Sequence, residues 1–134
     1  MSGYTKVNLK DDVKDSAEDF GLAPNLEGRF ATSNLGLEKS GMSYQRLAPG
    51  FRVPFGHRHE QQEEFYVLIS GGGTAKLDDE IIEVRQWDVI RVPPEMMRCF
   101  EAGPDGAELL AVGAPNTGPD ATVDGEMTPG WWTD

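Results

Sequence analysis

The chain has 134 residues, with 23 Asp and Glu against 12 Lys and Arg and a formal net charge of −11. That length suits one domain with a real core and no need for disulfide or metal staples. The acidic balance repels nucleic acid and anionic lipid, no apolar run reaches the ~18 residues of a membrane span, and the polar start Met1–Lys6 is no signal peptide.

Near the N-terminus, Val13, Ala17 and Phe20 recur at i, i+4 and i+7. This spacing predicts a short helix from Asp11 to Phe20, capped by Asp11 or Asp12 and ended by Gly21 and Pro24. Residues 1–40 are expected to form an N-terminal arm with the first strand or strands, packed on the main domain. From about Arg29 to Ala114 the pattern changes to short apolar segments broken by turn residues. Met42–Leu47, Phe65–Ile69, Thr74–Leu77, Ile81–Val84, Val89–Val92 and Leu109–Val112 are the expected strands. Pro49-Gly50, Gly71-Gly72-Gly73, Asp78-Asp79, Pro93-Pro94 and Gly103-Pro104 are the expected turns. Many strands with turns every 8–12 residues or so, and no βαβ alternation, indicate an all-β sandwich or barrel. Residues 41–113 form its expected core. The tail, residues 114–134, is acidic and rich in Pro and Gly, and ends with Trp131-Trp132 before Thr133. Two adjacent tryptophans are too apolar to hang in water, so the tail is expected to dock on the barrel or on a partner subunit.

The only two histidines lie two residues apart, at His57 and His59. On a strand they share a face, while Arg58 points away. Glu64 follows five residues later and opens an apolar strand on which Glu64, Tyr66 and Leu68 share one face. Two imidazoles and a carboxylate brought together across a hairpin make a first shell for a divalent ion with open positions for a ligand. His57, His59 and Glu64 are therefore the candidate metal ligands, with Zn, Fe, Mn or Ni as candidate ions.

These residues resemble the first motif of the cupins: Pro49-Gly50, His57-x-His59, Glu64 and Gly71, with six residues rather than the usual five between Gly50 and His57. The stretch Trp87–Arg98, with Pro93-Pro94, resembles the second. Cupins usually have Gly at the places of Trp87 and Glu95, and a metal-binding His at the place of Arg98. The resemblance implies a small jelly-roll barrel of two antiparallel sheets with a central pocket. It does not select among binding proteins, dioxygenases, isomerases and decarboxylases. It also implies a small-molecule partner and pairing into a homodimer.

Arg98 removes the usual third histidine, and its charge opposes a nearby cation. Two arrangements follow. A weakly held metal sits on His57, His59 and Glu64 with Arg98 turned to an oxygen-rich or anionic ligand, or Arg98 pairs with Glu64 and the site works without metal. In the second case His57 or His59 is the base and Tyr66 the acid of an isomerisation, so His57, His59, Tyr66 and Arg98 are the catalytic candidates and Arg98 and Tyr66 the ligand-binding ones. Gly71-Gly72-Gly73 lacks the Lys-Ser/Thr of a phosphate loop. Asp78-Asp79-Glu80 suits a turn better than a metal cluster. The single cysteine, Cys99, cannot form an internal disulfide and fits a reducing, cytoplasmic setting. On its strand it is expected to face away from the pocket. Tyr44 and Arg46 share a face that the sequence does not assign.

Overall fold

The computed structural model describes residues 3–120 and 122–134. The described residues form eight strands in succession: β1 (Leu26–Phe30), β2 (Gly41–Leu47), β3 (Phe55–His59), β4 (Glu63–Leu77), β5 (Glu80–Arg85), β6 (Val89–Val92), β7 (Arg98–Ala114) and β8 (Gly125–Pro129). Among the described residues every strand pairing is antiparallel.

Two long strands organise the barrel. The first half of β4 lies between β6 and the second half of β7, which continues to β2 and β1. The second half of β4 lies between β5 and the first half of β7, which touches β3 through one register pair, His57 with Arg98. Strand β8 pairs with β3 over Phe55–His59 and closes that layer. Alternation then sorts the side chains. Glu64, Tyr66 and Leu68 are buried, whereas Glu63 and Phe65 face solvent. Leu47, Tyr66, Leu68, Val92, Phe100 and Leu109 build the core between the layers.

Two expected turns are not turns. Gly71-Gly72-Gly73 and Gly103-Pro104 lie inside β4 and β7, where the register slips between Leu68 and Ser70 and again between Gly71 and Gly73. The glycines serve close backbone approach: a Cβ on Gly71 would collide with the Gly106 carbonyl oxygen, and one on Gly73 with that of Glu101. The bulges let one pair of strands bend through both layers.

The expected helix from Asp11 to Phe20 is shorter and tighter. Only Ser16–Phe20 is helical, as a 3-10 turn. Asp15, not Asp11 or Asp12, caps it, accepting from the Ala17 backbone N–H and, at 3.0 Å, from that of Gly28. That second bond ties the turn to β1, so a tertiary contact decides where the helix starts. Gly21 ends it in the left-handed region, as its position suggests. A second short helix, α1 (Thr32–Leu35), had no periodic signal.

The tail runs back along the barrel. Beyond β8, Trp132 is buried with the Arg52 guanidinium 4.3 Å above its ring, and Lys76 Nζ lies 4.4 Å above Trp131. On the outer face of β1 and β2, Glu27 gathers Lys10 at 2.7 Å, Arg29 at 2.6 Å and Arg46 at 3.2 Å. Burial pushes its carboxyl up, but the three cations outweigh this and bring it down to about 2. A carboxylate lowered from the ordinary value of roughly 4.3 stabilises the fold above that pH and loses its contribution as pH falls towards 2. Lys10 and Arg46 are half exposed, so screening keeps the effect to about 1–2 kcal/mol. Glu27→Gln is expected to lower stability by that amount at pH 7, with the gap closing between pH 5 and 2. Urea melts of both proteins across that range measure it, and a gap independent of pH would contradict this reading.

Candidate functional site

Strand β3 supplies two inward side chains, His57 and His59, while Arg58 points out and meets Glu126 of β8 at 2.9 Å. Strand β4 returns Glu64 and Tyr66 beside them, and β7 starts with Arg98. The four groups converge on one atom. Glu64 Oε1 accepts a 2.7 Å hydrogen bond from the Tyr66 hydroxyl and lies 3.1 Å from His59 Nε2, 3.6 Å from His57 Nε2 and 3.9 Å from Arg98 Nη1. The Tyr66 hydroxyl is also 3.5 Å from His57 Nε2.

The electrostatics follow from this crowding. Burial raises the Glu64 carboxyl, but the imidazoles of His57 and His59 facing it hold it well below the usual carboxylate range. Burial lowers the His57 pKa, with Glu64 opposing, so the neutral ring is favoured. Burial and then the Glu64 charge push Tyr66 up, keeping its hydroxyl protonated. Glu64 is therefore a carboxylate, His57 a free base and Tyr66 a donor.

Arg98 is fully buried. Its Nη2 donates to the Pro93 carbonyl at 2.9 Å, while Nε and Nη1 have no hydrogen-bond partner among the described residues. At 3.9 Å its contact with Glu64 is loose and not a paired bond. The expected choice between pairing with Glu64 and reaching for a ligand thus has a third answer here: the guanidinium is anchored on the Pro93 carbonyl, loosely beside the carboxylate.

The donor set fits a metal. The ligating atoms of His57, His59 and Glu64 all lie within 4.8 Å of one another. Both ring nitrogens of His59 are buried without a well-aligned hydrogen bond. A buried imidazole left in that state gains by coordination. Its Nδ1 faces Asp124 Oδ2 at 3.4 Å, and the same carboxylate accepts from the Gln61 and Gln62 backbone N–H groups. A carboxylate behind a ligating imidazole holds the proton on Nδ1 and leaves Nε2 free for the ion. Sequence reading missed Asp124, which comes from the polar stretch before β8, sixty residues away from Glu64.

His57, Glu64, Tyr66 and Arg98 border a cavity of about 370 Å³. Leu26, Phe30, Val53, Phe55, Phe100 and Met127 wall it, and the 3-10 turn adds Ala17 and Phe20. Cys99 borders this cavity instead of facing away, because the Arg52–Phe55 segment crosses over it and its thiol meets the Val53 carbonyl at 3.2 Å. Burial pushes that thiol up to about 11, which leaves it protonated and inert. Tyr44 and Arg46 are not part of the cavity lining and reach Glu108 and Glu27 instead.

Residues 43–113 match the model of the cupin domain family. Among solved structures, a cupin protein of Bacteroides fragilis is 26% identical, with a TM-score of 0.70 over 90% of this chain and 91% of that one. A mutant of Bacillus subtilis oxalate decarboxylase is 20% identical with a TM-score of 0.75, and the match covers 96% of this chain but 32% of that one. KdgF from a Halomonas species is 15% identical, with a TM-score of 0.66 over 86% of this chain and 96% of that one. The last two likenesses are of fold. In sequence, uncharacterized protein MJ1618 of Methanocaldococcus jannaschii is 41% identical over 39 residues, which make up 29% of this chain and 31% of that protein.

Proposed function

The chain belongs to the cupin domain family, and from that premise we propose that it binds a small molecule in its barrel beside a divalent ion held by His57, His59 and Glu64. The observation that carries this reading is the convergence of the three donors, two of them, His57 and Glu64, on the wall of a cavity, with His59 buried and short of partners. A first-row ion such as Zn, Fe, Mn or Ni suits two imidazoles and a carboxylate. When bound, it supplies Lewis-acid polarisation of a ligand oxygen. The chain does the rest. Asp124 orients His59, Tyr66 orients Glu64, and the apolar walls exclude water.

Metal content measured on protein purified without chelator or nickel resin, followed by Zn²⁺ and Mn²⁺ titration, tests this reading. About one equivalent is expected, lost in His59→Ala. Asp124→Asn, which keeps the acceptor for Gln61 and Gln62 but not the charge, is expected to weaken metal binding 10- to 100-fold. An unchanged affinity would remove Asp124 from the site, and no uptake at all by the parent would remove the metal.

One observation favours a second reading. The Tyr66 hydroxyl stands 3.5 Å from His57 Nε2 and 2.7 Å from Glu64, which supports metal-free acid–base isomerisation with His57 as base and Tyr66 as acid. Turnover that survives chelation and is lost in Tyr66→Phe would select it.

A further inference from the structure

Strand β2 sends two polar side chains in succession into the barrel. Ser43 and Gln45 alternate with Tyr44 and Arg46, so they share the inner face with Leu47, and both border the large cavity. On the outer face Tyr44 donates to Glu108 and Arg46 to Glu27. Neither Ser43 nor Gln45 has a side-chain hydrogen bond among the described residues, although Ser43 is buried. Polar groups held against aromatic and aliphatic walls without a partner are costly.

The register places these two groups across the cavity from the His–Glu cluster. Ser43 pairs with Ala111 and Ala111 with Tyr66, while Gln45 pairs with Leu109 and Leu109 with Leu68. Two strand spacings separate β2 from β4, roughly 10 Å across the sheet. Between Tyr66 and Ser43 stands only the methyl group of Ala111. Beside Gln45 lies its β1 partner Gly28, and the position of a Cβ there is open space. The 3-10 turn, tied to Gly28 by Asp15, adds Ser16 to the same side of the cavity.

We infer that Ser43 and Gln45 form a second recognition point, for a neutral hydrogen-bonding group such as a hydroxyl at the far end of a ligand about 10 Å long. This rests on the metal reading above, which holds the near end at the ion. A serine hydroxyl and a glutamine amide each donate and accept, and neither carries charge. A negative end is disfavoured there. Asp120 borders this cavity, and with Ser43 it also borders the smaller adjoining one, so a carboxylate beside Ser43 would meet a like charge. Arg98 does not offset it, because it stands on the other side in register with His57. An apolar end would leave Ser43 and Gln45 unpaired.

The test uses Zn²⁺-loaded protein and three hydroxamates with the same five-methylene chain, which anchor on the ion. They are 6-hydroxyhexanohydroxamate, heptanohydroxamate and pimelate monohydroxamate, ending in hydroxyl, methyl and carboxylate. Calorimetry is expected to show the hydroxyl probe bound at least fivefold more tightly than either of the others. Desolvation alone would favour the methyl end, so this order needs a partner for the hydroxyl. Ser43→Ala combined with Gln45→Met removes both polar groups with little change of volume, and is expected to reduce the preference below twofold. The readout is a ratio within one protein, so a general loss of Zn²⁺ affinity in the variant does not imitate it. A methyl or carboxylate probe bound as tightly as the hydroxyl one, or a preference that survives in the variant, would overturn this inference and leave the metal reading standing. No Zn²⁺ uptake by the parent would overturn both.

Discussion

Arg98→His is expected to raise Zn²⁺ affinity at least a hundredfold. Arg98 Nη1 stands 3.9 Å from the carboxylate oxygen that would hold the ion. A unit charge about 5 Å from a divalent ion costs roughly 6–7 kcal/mol at an effective dielectric of ~20. A hundredfold change needs only about 2.7 kcal/mol, so even a heavily screened repulsion suffices. Histidine also adds a ligand where arginine cannot. Arg98→Met separates the two effects, because it removes the charge and supplies no imidazole. It should gain part of the affinity. The fold should tolerate both changes, since two of the three guanidinium nitrogens have no hydrogen-bond partner to lose. Zn²⁺ titration of the three proteins decides it, and equal or weaker binding by the histidine variant would show that Arg98 does not suppress the ion.

Gly73→Ala is expected to destabilise the protein by about 3 kcal/mol, the upper range for forcing an extra methyl into packed surroundings. The added Cβ would strike the Glu101 carbonyl oxygen and crowd the Gly103 nitrogen at 2.7 Å. Both are backbone atoms of β7, so no side chain can swing aside. Gly28, on β1, has open space around its Cβ position, and Gly28→Ala is the control, expected to change stability by less than 1 kcal/mol. Thermal or urea melts compare the two. Similar losses would mean that backbone approach at the β4–β7 bulge is not what Gly73 provides.

The glycines also show how sequence reading succeeds and fails. A triple glycine signals both a flexible turn and a place where two backbones touch, and only the partner strand distinguishes them. That partner, Glu101 to Ala107, lies some thirty residues away. Alternation is local, by contrast, so the inward faces of His57 and His59 and of Glu64 and Tyr66 were legible from spacing alone. The convergence of Arg98 on the same carboxylate needed the cupin resemblance to anticipate, because nothing local points an arginine at a histidine pair. Asp124 was illegible. It is one acidic residue among many in the tail, and only the pairing of β8 with β3 singles it out. The N-terminal helix misled for a related reason: its period was real, but Asp15 is committed to Gly28 as well as to Ala17.

Strand β3 has a single register pair with β7 and five with β8. The strand that bears both histidines is therefore attached to the barrel chiefly through the tail. Local opening of a protein proceeds in cooperative units, and amides of one unit exchange with solvent together. The pairing of β3 with β8, fastened by Trp132 under Arg52 and by Trp131 over Gly56, is expected to make them such a unit. Its opening would part His57 and His59 from Glu64 in one event, with Asp124 leaving alongside them. An ion held by His57, His59 and Glu64 would join β3 to β4 and latch this part of the barrel, and its residence time would not exceed the lifetime of the closed unit.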